Sequence, residues 1–170
     1  YKKAIKIKKD YFISYYNLGS IYLKNGNLSD AEKYFYSTID YKSDFIPSYV
    51  NLGITLNKAN KNSDAEIVLK KGITINSNIF ELYFYLGGTL DTLGKIEESI
   101  YYYKKAADLK PNFFGTYSNL GNALHKLGNY NDAITNYKKS IKLNNKSPET
   151  LNNFGNLLSQ LGNLNEAEKC

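Results

Sequence analysis

The dipeptide Leu-Gly recurs along this chain at a constant spacing of 34 residues. It stands at Leu18-Gly19, Leu52-Gly53, Leu86-Gly87 and Leu120-Gly121, and Phe154-Gly155 continues the same register. A fixed period of this length is typical of stacked arrays, in which one unit buries too little apolar surface to fold alone. The spacing therefore predicts a row of small helical units rather than one domain built around a single active site.

The repeat boundaries follow once the Leu-Gly pair is assigned to positions 7 and 8. The complete repeats are then 12–45, 46–79, 80–113 and 114–147, while residues 1–11 end a preceding repeat and residues 148–170 begin a following one. Residues 1–170 are thus predicted to form a single array. The chain starts at Tyr1 and contains no Met, from which we expect it to be part of a longer protein.

Each repeat is predicted to form two helices separated by a turn. Apolar residues at positions 4, 7 and 11, such as Tyr49, Leu52 and Leu56, share one face of the first helix. Acidic residues near position 19 favour the positive end of a second helix. Position 15, where a left-handed residue would end the first helix, is occupied by Gly26, Asn60, Gly94, Gly128 and Gly162. We expect a looser turn at Asn60.

Small and large side chains alternate where the two helices must approach each other. Position 8 is Gly in every repeat, although Gly inside a helix costs ~1 kcal/mol relative to Ala. Position 24 carries a large side chain in each complete repeat, namely Phe35, Leu69, Tyr103 and Tyr137. The pattern predicts that each position-24 side chain enters the space left by the glycine.

These features together resemble the tetratricopeptide repeat (TPR), a 34-residue helix–turn–helix unit. The likeness extends from Tyr1 to Cys170 and rests on the large residue at position 4, Leu-Gly at 7–8, Gly at 15, Ala at 20 and an aromatic residue at 24. It implies an all-α, right-handed superhelical solenoid of antiparallel helix pairs. The first helices of such a solenoid line a concave groove, and the resemblance implies a protein or peptide partner there. The family's Pro near position 32 is present only as Pro111.

Asparagine recurs at position 6, which the TPR resemblance places in the groove. An Asn amide both donates and accepts hydrogen bonds, and first helices roughly 10 Å apart would offer one amide to about every three residues of an extended peptide. We therefore expect a ladder that holds a partner by its backbone, with amides at position 9 widening it near the C-terminus. The predicted peptide-binding residues are Asn17, Asn51, Tyr85, Asn119, Asn122, Asn153 and Asn156. Tyr85 interrupts the ladder.

Two further hypotheses remain open beside this scaffold function. The ladder is similar to the TPR groove of O-GlcNAc transferases and Spindly-type glycosyltransferases, most closely over residues 117–124. That likeness implies a substrate-recognition arm whose catalytic domain lies outside this chain, and a glycosyltransferase domain after Cys170 would establish it. The other hypothesis is a purely structural spacer or self-associating scaffold.

The carboxylate clamp of chaperone-binding TPR proteins is not matched. That clamp has cations at positions 2 and 5, whereas position 2 here is Ile13, Pro47, Glu81, Gly115 and Glu149, and position 5 is Tyr16, Val50, Phe84, Ser118 and Asn152. Chaperone-tail binding is therefore disfavoured.

Enzymatic chemistry is not indicated by the sequence. His125 is the only His and Cys170 the only Cys, so the chain offers neither the ligand clusters of a metal site nor a nucleophile beside a base. We expect no catalytic residue, no cofactor and no small-molecule substrate. His125 is interpreted as a half-exposed polar residue of the groove.

The net charge of +6 comes from Lys alone, since the chain contains no Arg. Missing Arg disfavours nucleic acid as a partner, and no apolar run is long enough to span a membrane. An intracellular location, cytoplasmic or nuclear, is expected. Lys pairs at positions 25–26 are interpreted as a solvated outer face, and the alternative is a salt-sensitive site for acidic partners or anionic lipid. The pairs are Lys2-Lys3, Lys70-Lys71, Lys104-Lys105 and Lys138-Lys139.

Apolar surface is expected at both ends of the array, where end-to-end self-association could follow. At the C-terminal end this surface would comprise Leu157, Leu158, Leu161 and Leu164.

Overall fold

A computed structural model describes residues 11–169, apart from the side chain of Asn165. Within that range the regular structure is entirely helical. The helices are α1 (Phe12–Lys24), α2 (Leu28–Tyr41), α3 (Ile46–Lys58), α4 (Asn62–Ile75), α5 (Phe80–Thr92), α6 (Ile96–Leu109), α7 (Phe114–Lys126), α8 (Tyr130–Leu143), α9 (Pro148–Gln160) and α10 (Leu164–Ala167). The expectations for residues 1–10, including Lys2 and Lys3, and for Cys170 lie outside the described residues.

The helices follow the 34-residue period without drift. The first helices α1, α3, α5, α7 and α9 each have 13 residues and begin at position 1 of their repeat. The second helices α2, α4, α6 and α8 each have 14 residues and begin at position 17. The all-α helix-pair fold predicted from the sequence is therefore confirmed.

The chain divides into two compact units, Tyr1–Leu93 and Gly94–Cys170. In the first unit, α1 packs against α2, α2 against α3, α3 against α4 and α4 against α5, and α3 also contacts α1 and α5. In the second unit, α6 packs on α7, α7 on α8, and α9 contacts both α7 and α8. None of the helices within residues 11–169 has the length and apolar character needed to cross a membrane.

The glycine at position 8 lets the two helices of a repeat come together. A Cβ placed on Gly19 would lie 2.8 Å from the Phe35 ring, and one on Gly53 would lie 2.5 Å from Leu69. Phe35 and Leu69 are completely buried. The predicted insertion of position 24 into the space at position 8 is confirmed at both sites.

The turn between helices has the same geometry whether position 15 is Gly or Asn. Asn60 has φ 58°, in the left-handed region, as Gly26 does at φ 76°. Beyond Asn60 the Lys61 N–H donates to the Leu56 carbonyl at 2.9 Å, and Asn27 makes the same bond to Tyr22 at 2.9 Å. The expectation of a looser turn at Asn60 is wrong, because Asn tolerates this conformation better than other residues with a Cβ.

A tyrosine at position 4 ties one repeat to the loop that ends the previous one. The Tyr49 hydroxyl donates to the carbonyl of Ser43 at 2.7 Å, and the Tyr117 hydroxyl donates to that of Pro111 at 2.9 Å. Ser43 and Pro111 both occupy position 32. This bond fixes the connection even in the repeat that lacks the family's proline.

The C-terminal leucines are less exposed than expected. Leu157 and Leu158 are buried, with 0% and 2% of their surface accessible, because α9 packs against α7 and α8. Leu161 and Leu164 are exposed, at 44% and 62%. The expectation of a continuous apolar end surface is thus wrong for the first two residues.

Candidate functional site

The candidate residues lie on one surface of the first helices. We define the first-helix surface as positions 2, 5, 6, 9 and 12, considered separately in each unit. In the first unit, Asn51 Nδ2 donates to Tyr16 Oη at 3.1 Å, which joins α3 to α1. Asn57 Nδ2 donates to Thr89 Oγ1 at 2.8 Å, which joins α3 to α5.

A comparable contact joins the first helices of the second unit. His125 Nε2 lies 2.8 Å from Gln160 Oε1, between α7 and α9. The His125 ring also lies edge-on to Tyr130, with the ring centres 6.0 Å apart. His125 is half-buried, as expected from its position. Within residues 11–169, no group of three or more His, Cys, Asp or Glu side chains could hold a metal ion.

Three of the four asparagines at position 6 present amides that no side chain or backbone group within residues 11–169 uses. Asn17, Asn119 and Asn153 are half-buried. Their side chains form no hydrogen bond with any other described residue. Asn122 and Asn156, at position 9, are likewise without a hydrogen-bonding partner among the described residues, the first half-buried and the second exposed. These amides can therefore bind a ligand without breaking an internal bond.

The remaining two candidates differ from the rest of the ladder. The Asn51 amide already donates one N–H to Tyr16, which leaves its second N–H and its oxygen for a ligand. Burial raises the pKa of the Tyr85 phenol, with a smaller contribution from the Glu81 carboxylate. Tyr85 therefore remains a neutral hydroxyl at physiological pH, and its ring packs edge-on against Phe84 with a centroid distance of 5.4 Å.

The two units have different chemistry on the first-helix surface. In the first unit, positions 2, 5 and 9 are mostly apolar or aromatic, with Ser20, Glu81 and Gly88 as the exceptions: Ile13, Tyr16, Pro47, Val50, Ile54 and Phe84. In the second unit, the same positions include Ser118, Asn122, Asn152 and Asn156. This difference does not follow from position 6, where Asn occurs in both units, and becomes visible only when positions 2, 5 and 9 are compared within each half of the chain.

A cavity of about 290 Å³ opens on the first-helix surface of the first unit. Residues from α1, α3 and α5 line it, together with Ile79 just before α5. The lining residues are Tyr16, Ile46, Pro47, Val50, Asn51, Ile79 and Glu81. Five of these seven are apolar or aromatic, and Glu81 is the one that carries a charge.

A second cavity, of about 340 Å³, lies in the second unit between α9 and α10. Asn152 and Asn156 line it from α9, with Gly155 between them. Its wall thus contains two side-chain amides beside the apolar Leu151, Leu164 and Ala167, whereas the cavity of the first unit contains one amide, that of Asn51.

Several lysines of the second helices make contacts within the chain. Lys70 forms an ion pair with Glu66 at 2.7 Å, and Lys138 pairs with Glu166 at 3.3 Å. The Lys139 ammonium lies 4.1 Å from the centre of the Tyr117 ring. A salt-sensitive site for acidic partners at the Lys pairs would need this positive charge, and these contacts already engage part of it.

The helix-pair fold agrees with the protein family and the solved structures to which this chain is similar. The family model described as TPR repeat matches residues 1–26, 92–128 and 121–162, more than half of the chain. No curated protein sequence matches significantly.

Several solved structures have the same fold. A crystal structure of MamA is 21% identical, with 93% of this chain and 86% of that one covered and a TM-score of 0.83. YrrB, described as a TPR protein with an unusual peptide-binding site, is 18% identical, with 99% and 87% covered and a TM-score of 0.81. PilF of Pseudomonas aeruginosa is 20% identical, with 93% and 72% covered and a TM-score of 0.84.

Proposed function

This chain belongs to the tetratricopeptide repeat family, and we propose that it is a non-catalytic module that binds an extended segment of a partner protein along its first-helix surface. The observation that carries the proposal is the set of unused amides in the second unit. Asn119 and Asn122 stand three residues apart on α7, and Asn153 and Asn156 do so on α9. Residues three apart lie on the same face of a helix, so each helix presents a pair of amides.

Paired amides suit the recognition of main chain rather than of side chains. Each Asn side chain offers one acceptor oxygen and two N–H donors. The backbone of an extended peptide carries the complementary N–H and C=O groups in alternation. A net hydrogen bond contributes about 0.5–1.5 kcal/mol, so several rungs are needed for useful affinity. The description of YrrB as having a peptide-binding site supports a peptide ligand by analogy.

The test compares two double variants of equal composition. The intact chain is first used to capture partners from a lysate of its source cells, and the bound segment is mapped and synthesised. Asn119→Ala/Asn153→Ala should weaken binding of that synthetic segment by about five- to a hundredfold, since two hydrogen bonds are lost. Asn131→Ala/Asn145→Ala, at two exposed positions outside the first-helix surface, should leave it unchanged.

Calorimetry measures both affinities, and circular dichroism checks that the variants fold. Raising the salt concentration should change the affinity little, because neutral amides make the contacts. Equal affinities for the two double variants would end the proposal. A steep salt dependence, lost on replacing Lys104 and Lys105, would instead favour the second-helix lysines.

The substrate-arm hypothesis uses the same amides and differs in what happens to the bound segment. A glycosyltransferase parent would add a sugar to that segment, which mass spectrometry of captured partners would detect. The proposal of a backbone-binding surface holds with or without that modification.

A further inference from the structure

We infer that the cavity of the first unit receives an aliphatic or aromatic side chain of the bound segment, next to a Lys or Arg of that segment held by Glu81. This inference rests on the proposed function and adds the chemistry of the ligand. The cavity measures about 290 Å³, at or below the lower limit of small-molecule sites, roughly 300–1,000 Å³. A single side chain is therefore a better match than a free metabolite.

The cavity wall favours an apolar occupant. Ile46, Pro47, Val50 and Ile79 contribute hydrocarbon from α3 and from the loop before α5. The polar groups of the wall, the Asn51 amide and the Tyr16 hydroxyl, are bonded to each other at 3.1 Å. That bond occupies one Asn51 N–H and the Tyr16 oxygen, and an apolar side chain that enters beside the hydrocarbon of the wall removes apolar surface from water.

Charge on this surface selects the neighbouring residue of the ligand. Glu81 is exposed and forms no ion pair with any described residue. The chain carries a net charge of +6, yet positions 2, 5, 6, 9 and 12 of α1, α3 and α5 contain no Lys, and their only charged residues are Glu81 and Asp91. An acidic segment would find no cation at these positions of the described helices, whereas a basic residue beside the apolar anchor would meet the Glu81 carboxylate.

The experiment uses terminally blocked ten-residue peptides in a Gly/Ser background, with Leu-Arg, Ser-Arg or Leu-Glu at the centre. Each is titrated into the isotope-labelled chain and followed by NMR. The Leu-Arg peptide should shift the backbone amide signals of Val50 and Ile79. Loss of the Leu should weaken binding about tenfold or more, and exchange of Arg for Glu should weaken it by about two- to fivefold at low salt.

Two variants with matched controls locate the effect. Val50→Asp should abolish the shifts, whereas Ile67→Asp, at a 66% exposed position of the second helix α4 in the same unit, should not. Glu81→Gln should remove the preference for Arg over Glu, whereas Glu149→Gln, at the same repeat position and equally exposed, should retain it.

The results separate this inference from the proposed function. Signal changes confined to the second unit would overturn the cavity inference and leave backbone binding intact. Preference for the Leu-Glu peptide, or no response of the first unit to any peptide, would also overturn it. The proposed function is decided independently, by the Asn119 and Asn153 variants and the captured segment.

Discussion

The ring of Tyr137 fills the space directly over Gly121. A Cβ built on Gly121 would lie 2.9 Å from both Cδ1 and Cε1 of that ring, closer than a methyl group can approach. Tyr137 is completely buried between its neighbours, so the ring cannot move aside freely. Helices α7 and α8 are therefore as near to each other as a glycine allows.

Replacing Gly121 by Ala should destabilise the protein by about 1–3 kcal/mol through overpacking, despite the better helix propensity of Ala. Gly115→Ala in the same helix is the control. The added Cβ there would meet the half-buried Phe113 ring at 2.9 Å, which has room to move toward solvent. Urea denaturation followed by circular dichroism measures both, and a stable Gly121→Ala variant would contradict the packing argument.

Thr150 links three helices of the second unit through its hydroxyl. Its Oγ1 lies 2.9 Å from Ser118 Oγ, 3.0 Å from Ser147 Oγ and 3.4 Å from Ser140 Oγ. Thr150→Val keeps the shape but removes the shared hydroxyl, and should cost about 1–3 kcal/mol because buried partners lose their bond. Thr135→Val, on the exposed face of α8, should change the free energy of unfolding by less than about 0.5 kcal/mol. If thermal melts show the same loss of stability for Thr150→Val and Thr135→Val, the hydroxyl contacts of Thr150 do not stabilise the fold.

The buried hydroxyl of Tyr137 should make stability depend on alkaline pH. It has no hydrogen-bonding partner among the described residues, and burial raises its pKa from 10.0 to about 12. Between these values the unfolded chain loses the proton first, so stability present below pH 10 falls as the pH rises toward 12.

Tyr137→Phe lacks this titration and should gain stability relative to the unsubstituted protein as the pH rises through that window. At neutral pH its stability should be equal or slightly higher, because an unpaired buried hydroxyl is removed. Denaturation at pH 7, 9 and 11 gives the difference, in which the other 16 of the 17 tyrosines largely cancel. A difference independent of pH would show that the hydroxyl reaches water.

Asn60 is the one position-15 residue with a side chain in the left-handed conformation. Asn60→Gly should stabilise the protein by up to about 1 kcal/mol, because the Cβ penalty disappears. Asn60→Ala should destabilise it by about the same amount. A differential scanning calorimeter detects both as shifts of Tm, and a lower Tm for the glycine variant would refute strain at this turn.

The fold was predictable because the repeat supplied the same information several times. Gly19 and Gly53 each predicted a close helix approach, and the structure places Phe35 and Leu69 there. The turn at Asn60 was misjudged because the sequence shows the residue type and not the hydrogen bonds that hold it. The single array over 1–170 and its superhelical handedness stay predictions.

The candidate site was only partly predictable, since position within a helix does not reveal the partner of a side chain. Asn51 and Asn153 both occupy position 6, yet only Asn51 is bonded to the residue at position 5 of the preceding repeat. That residue is Tyr16, whose hydroxyl accepts from the Asn51 amide. For Asn153, position 5 of the preceding repeat is Ser118, whose hydroxyl accepts a hydrogen bond from Thr150. Such differences depend on pairs of residues from different repeats, which a single repeat pattern does not describe.

The constant 13-residue length of the first helices has an evolutionary consequence. One residue inserted before position 6 would rotate every later side chain of that helix by about 100°, and would turn the amide at position 6 away from its neighbours. One residue inserted after position 32, beyond the Tyr49 bond to Ser43, would lengthen a loop and leave both helices in phase. Related sequences should therefore tolerate length changes between repeats, and lose the amide row wherever a first helix has gained or lost a residue.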